Sequence, residues 1–214
     1  MFTFKFINGV EMAKIAEIKQ ENIILAAIDI FTDKGLEQAS MEAISKKAEV
    51  SKRTLYKYYP TKESLFSAII ERLLSNVGVT SQVPFNPDVS VKAQLTAMAQ
   101  TKVELLCCPH FHSLARMVLS ECMRSSSSAT LMVEKVQQLE GCHGLTRWIE
   151  AGVAAGKLDV EYPEIASEQF IAALKAIVFW PQILVHLPAA SQHEREVAIE
   201  MAVAQFLSAY LKEN

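Results

Sequence analysis

Between Ser40 and Lys62 the chain reads Ser-Met-Glu-Ala-Ile-Ser-Lys-Lys-Ala-Glu-Val-Ser-Lys-Arg-Thr-Leu-Tyr-Lys-Tyr-Tyr-Pro-Thr-Lys. Lys46, Lys47, Lys52, Arg53, Lys57 and Lys62 set six positive charges against the single acid Glu49 within 17 residues. Ammonium and guanidinium groups hold phosphate oxygens, and Arg or Lys also pairs with O6 and N7 of guanine in a major groove. A helix N-terminus carrying the Thr54 hydroxyl adds free N–H donors suited to phosphate. The chemistry on offer is recognition of a polyanion. Most charge runs are only a solvated face. This one also has turn spacing, two serine caps, an aromatic-basic outer face and a helix too short to persist by its own propensity.

The elements that position these groups follow from local signals. Ser40 caps one short helix, with Glu42 in its first turn and Met41, Ile44 and Ala48 facing inward. After Glu49 and Val50, Ser51 caps a second, which must stop by Tyr59 because Pro60 disfavours helical geometry before it. Leu55 and Tyr59 point inward at i, i+4, which turns Lys52, Arg53, Tyr56 and Lys57 outward. Two short helices across a tight bend make a helix-turn-helix. A longer helix over about 12–34, carrying Ile24, Ala27, Ile28 and Phe31 and closed by Gly35, precedes it. A fourth starts at Thr61 with Leu65, Phe66, Ile69, Ile70 and Leu73.

The composition of the 214 residues, 50% hydrophobic and 21% charged with 7 Gly and 7 Pro, excludes a disordered, collagen-like or disulfide-scaffolded chain. A net charge of −3 makes the basic patch a local feature. Cys107, Cys108, Cys122 and Cys142 form no CxxC pair, which points to reduced thiols in a cytoplasmic protein and no structural zinc. His110 and His112 lie on different faces of a helix, and His143 beside Cys142 lacks further ligands, so no metal site is expected. There is no Gly-rich phosphate loop, GxSxG, HExxH or carboxylate pair, so neither a cofactor nor catalysis is expected. Residues 1–11 read as a disordered or non-native extension without a signal-peptide core. Phe170–Leu187 is interrupted by Lys175, Pro181, Gln182 and His186, which fits a protein-buried helix and no membrane span.

Helical periodicity predicts an all-α chain of two domains: an N-terminal helix-turn-helix head over 12–74 and a larger helical domain over 75–214. Gly78, Pro84 and Pro87 mark the boundary. Further helices are expected at about 90–107, 110–124, 127–155 (weakened at Gly141 and Gly144), 164–187 and 191–212, the last opened by the capping box Ser191-Gln192-His193-Glu194. The last two are apolar all round, so Phe170, Leu174, Ile177, Val178, Val197, Met201 and Phe206 are expected to meet a second copy of the chain. Polar and aromatic residues on the middle helices supply effector candidates: Phe111, His112, Arg116, Met117, Trp148 and Trp180, with His110, Glu121, Cys142 and His143 in the wider field.

Phe31-Thr-Asp-Lys-Gly35, Ser40-Met-Glu-Ala-Ile-Ser-Lys-Lys-Ala48 and Val50-Ser-Lys-Arg-Thr-Leu-Tyr-Lys-Tyr-Tyr-Pro-Thr-Lys-Glu-Ser-Leu-Phe66 together resemble the N-terminal signature of the tetracycline-repressor (TetR) family, over about 50 residues. The resemblance implies an all-helical homodimer with a three-helix DNA-binding head and a ligand-receiving second domain. Base contacts would carry over to Lys52, Arg53 and Lys57. Phosphate contacts would carry over to Ser40, Thr54, Tyr56 and Lys62. Two residues depart from the pattern: Glu49 replaces the family's usual turn glycine, which suggests a slightly different turn or one that is not left-handed, and Tyr162 stands where a capping Asp is common.

The expected function is a ligand-responsive, sequence-specific repressor on a near-palindromic operator, its two reading helices roughly 34 Å apart. The rivals are an activator or ligand-independent regulator with the same head, a helical enzyme binding a phosphorylated substrate, and a dimeric scaffold.

Overall fold

The computed structural model describes residues 9–79, 83–138 and 143–212. Its helices are α1 (Gly9–Gln38), α2 (Met41–Lys47), α3 (Lys52–Tyr58), α4 (Lys62–Val79), α5 (Val91–Leu106), α6 (Pro109–Arg124), α7 (Ser126–Gln138), α8 (Gly144–Ala154), α9 (Pro163–Val178), α10 (Trp180–Leu184) and α11 (Gln192–Tyr210). Among the described residues the only extended pairing is an isolated antiparallel bridge between Leu158 and Leu211. The fold is all-α, as the periodicity requires.

Two compact units emerge, and they divide the chain differently from the expected domains. One runs to Ile70 and also takes in Met117–Leu131; the other holds Glu71–Arg116 and the residues from Met132 onward. Helices α4, α6 and α7 are therefore each shared between units. In the first unit Ile23, Ala27, Ile44, Leu55, Leu65 and Ile69 are wholly buried. Phe31 and Phe66 meet edge to face there, with ring centroids 6.5 Å apart. In the second, Leu95, Ala99, Ile149, Leu174 and Phe206 bring α5, α8, α9 and α11 together. Their core also contains a satisfied polar hub. Gln94 Nε2 donates to the carbonyls of Asn86 and Val89, and its Oε1 accepts from Asn86 N and Trp148 Nε1. A buried amide is tolerated there because both of its ends are paired.

Several sequence expectations are corrected. Gly9–Glu11 belong to α1, which corrects the expectation of disorder for them, while residues 1–8 lie outside the described residues. The helix expected over 127–155 is two, α7 and α8, separated by 139–142, which also lie outside the described residues together with Gly141 and Cys142. The helix expected over 164–187 stops at Val178 and resumes only as the five-residue α10. Pro181 explains the break, since it has no N–H and its ring crowds the carbonyl four residues earlier.

The capping box at Ser191 forms as expected. Tyr162, in contrast, sits at the N-cap of α9 with no side-chain cap, 61% exposed, directly before Pro163. Tyr162→Asp should therefore accept an orphan N–H of the first turn and add about 1 kcal/mol of stability, read as a higher midpoint in urea unfolding.

Candidate nucleic-acid interface

Each short helix of the head is set by its own cap. Ser40 Oγ accepts from Ala43 N at 3.1 Å, opening α2. At its end Val50 N bonds to Ser45 O and Glu49 N to Lys46 O, the paired bonds that close a helix through a left-handed residue. That residue is Glu49, with φ of 55°. The expectation of a turn that is not left-handed is thus overturned: the hydrogen-bond pair fixes the geometry, and a non-glycine residue bears the strain. Glu49→Gly should raise the stability of the head by about 1 kcal/mol, and a denaturation midpoint at or below wild type would contradict this.

Ser51 Oγ then accepts from Thr54 N at 3.1 Å and lies 2.8 Å from the Thr54 hydroxyl, opening α3. Leu55 is the one fully buried side chain of α3 and anchors it to the core. Lys52, Arg53, Tyr56 and Lys57 are all exposed, and the i, i+1, i+4, i+5 spacing puts them on one face. Tyr59 is only half-buried, correcting its expected core position. It is the C-cap of α3, with extended backbone geometry.

The electrostatics of this face are local. Lys52 Nζ pairs with Glu42 Oε1 at 2.9 Å, and that hydrogen bond, then the charge itself, holds the Glu42 carboxyl below its usual range. Lys47 pairs with Asp29 at 2.9 Å. Lys57 Nζ lies 5.7 Å from the centre of the Tyr58 ring. Lys62 Nζ donates to Glu37 O at 2.6 Å, tying the start of α4 to the end of α1. A phosphate there would be met by an ammonium already fixed in place.

The same unit contains a bracket that the sequence did not reveal. Gly35 interrupts α1 with φ 76° and ψ 166°. Buried Glu121 accepts from Leu36 N through Oε2 at 3.2 Å, 85 residues away in sequence, and draws in Arg124 at 3.7 Å. The Arg124 guanidinium lies where a side chain at residue 35 would be. Glu121, named above in the wider effector field, belongs to this bracket instead. Its one sequence signal was an acid within an otherwise apolar helical stripe.

The effector candidates separate. Trp148 is a core residue whose indole N–H is engaged by Gln94, and buried Met117 falls in the first unit. Phe111 and His112 both lie with ring centroids 6.0 Å from Phe179, which stacks edge-on to Trp180 at 4.9 Å. His112 Nε2 is bonded to Leu106 O. Arg116 Nη2 donates to Gln182 O at 2.9 Å. No cluster of three potential metal ligands occurs among the described residues.

Of the residues expected at a dimer interface, Phe170, Leu174, Val178 and Phe206 are buried within one chain. They join α9 to α11 internally, as in the edge-to-face pair of Phe170 and Phe206. Ile177, Val197 and Met201 remain at 48%, 41% and 53% exposed.

Comparison with known proteins places this geometry. Residues 23–69 match the family model for bacterial regulatory proteins of the tetR family, and residues 93–212 match that for the AefR-like transcriptional repressor C-terminal domain. The chain belongs to the TetR family. A TetR family regulator from Pseudomonas syringae pv. tomato DC3000 is 32% identical, with a TM-score of 0.82 over 92% of this chain and 98% of that one. The flavonoid-responsive regulator FrrA is 25% identical, with a TM-score of 0.73 over the same shares. The regulator YvdT of Bacillus subtilis is 42% identical over 65 residues, 30% of this chain and 34% of its own. The chain spans about a third to under half of the length of the curated relatives it matches. Within the TetR head, the first model covers α2, α3 and the greater part of the first unit, including every basic residue from Lys46 to Lys62.

Proposed function

We propose that this TetR-family chain is a sequence-specific, ligand-responsive transcriptional repressor that binds a near-palindromic operator as a homodimer. The observation that carries the reading is the single exposed face of α3, where Lys52, Arg53, Tyr56 and Lys57 stand over one buried leucine. Lys52, Arg53 and Lys57 reach base edges, while Ser40, Thr54, Tyr56 and Lys62 hold phosphates. The description of the model matched over 93–212 supports repression rather than activation. FrrA's description as flavonoid-responsive supports a small aromatic effector, for which Phe111, His112, Arg116 and Trp180 are the candidates. The effector would act by binding better to a form whose two heads are wrongly spaced for DNA. The relatives are regulators rather than enzymes, and no described helix is long and apolar enough to cross a membrane. A DNA target puts the protein in the cytoplasm with the chromosome.

Ile177, Val197 and Met201, beside Ala173 along an apolar groove of about 580 Å³ on α9 and α11, support a second copy as the partner on that face. Met201→Asp should therefore shift the sedimenting species from dimer to monomer at micromolar concentration. A wild-type chain that sediments as a monomer would refute the dimer. The DNA reading is tested by selecting bound duplexes from a random pool with the full chain. Enrichment of a two-fold site is expected, and a pool that stays random would sink the reading.

A further inference from the structure

Among the described residues of the second unit, two buried side-chain atoms have no hydrogen-bond partner, the donor Nε of Arg116 and the acceptor Oε1 of Gln182. The residues carrying them are already joined, since Arg116 Nη2 donates to Gln182 O at 2.9 Å. Gln182 is 5% exposed and donates its Nε2 to Pro188 O, so its carbonyl oxygen is the one end left over. Each unmade buried bond costs about 1–3 kcal/mol. A leftover donor and a leftover acceptor on bonded neighbours are complementary to one group that accepts and donates at once.

We infer that Arg116 and Gln182 form the polar end of the effector site and select an aromatic effector by a phenolic hydroxyl, whose oxygen accepts from Arg116 Nε–H while its O–H donates to Gln182 Oε1. A carboxylate would satisfy Arg116 but would face the lone pairs of Gln182 Oε1. An ammonium would satisfy Gln182 and repel the guanidinium. The hydroxyl suits both. The aromatic ring is called for by the neighbours: Phe179 immediately precedes α10, stacks on Trp180, and meets Phe111 and His112 at 6.0 Å. No carboxylate pairs with Arg116 among the described residues, so its charge is free to favour oxygen and, on binding, the more acidic hydroxyl of a phenol over that of an alkyl alcohol.

Because both atoms are closed off from solvent, access requires α10 to move. That segment is suited to moving. It is five residues long, follows the non-helical Phe179 and precedes His186, which sits at φ 55°. Within it only Gln182 and Ile183 are buried, while Leu184 and the following Val185 and Leu187 are each more than half exposed, so two side chains hold the segment down. In the closed form these two hydrogen bonds are unmade, and an occupant of this chemistry would complete both.

This inference rests on the ligand-responsive reading above, and its test is separable from it. Calorimetric titration of the full chain with 2-naphthol, 2-methoxynaphthalene and 2-naphthoate varies only the polar group. Naphthol is expected to bind roughly tenfold or more tightly than either analogue, the change that follows from leaving a buried polar group unpaired. Arg116→Met and Gln182→Leu should each erase that preference while retaining the far-ultraviolet spectrum of the wild type. Equal binding of the three by the wild-type chain, tightest binding of the naphthoate, no binding of naphthol at millimolar concentration, or a preference that survives Arg116→Met would each overturn the inference. The wild-type series decides the matter even where a variant misfolds. A flat series from a chain that still selects a DNA site removes the hydroxyl reading alone, whereas loss of DNA selection strikes the regulator reading instead.

Discussion

Arg53→Ala is expected to weaken binding to the selected operator by about 1–3 kcal/mol and to relax discrimination at one base position. Arg53 stands on the exposed face of α3, and no ion pair engages it among the described residues, so nothing within the head has to be broken before it meets a base. Lys62→Ala supplies the contrast. Its ammonium is held on Glu37 O at 2.6 Å, beside the helix pair rather than on α3. Its loss should weaken all sequences alike and flatten the dependence of log affinity on log salt by about one unit. Both slopes can be read from anisotropy titrations on operator and scrambled duplexes across a salt series. If the two variants lose affinity equally and without regard to sequence, the division between base and phosphate contacts is wrong.

Gly35→Ala should have the largest effect on the fold of the head. With φ 76° and ψ 166°, residue 35 lies in a region that L side chains essentially never adopt, a cost of about 1–3 kcal/mol. The new Cβ would also stand 2.1 Å from Arg124 Nη1, so the guanidinium must leave. Glu121 then loses the cation beside it while still accepting from Leu36 N. A fall in melting temperature of roughly 5–10 °C is expected for a chain of this size, with operator affinity lost at temperatures where the wild type still binds. Glu121→Gln keeps an oxygen for Leu36 N and loses only the charge, so it should fall by less. A Gly35→Ala chain that melts within about 1 °C of wild type would show that the bend is not needed.

What the sequence made legible was what is local. Ser40, Ser51 and Ser191 each cap a helix through a residue three positions on, and such bonds depend on nothing distant. The outward set on α3 followed from a single periodicity anchored by Leu55. The Glu121 bracket was not legible because its partners are 85 residues apart and neither has a spacing signature. The last two long helices misled for a different reason. An apolar surface all round says that every side is covered, not by what, and Phe170, Leu174, Val178 and Phe206 turned out to be covered by their own chain. Pro181 is visible in the sequence, yet the apolar run continues through it, so periodicity alone carries α9 past its end at Val178.

The ion pair between Lys52 and Glu42 leaves one of the three cations proposed to reach base edges already engaged in the unbound head. On that reading a base must take Lys52 from the carboxylate, an exchange between two exposed partners worth at most about 1 kcal/mol. No carboxylate holds Arg53 or Lys57 among the described residues, so these two should discriminate among bases more sharply than Lys52 does.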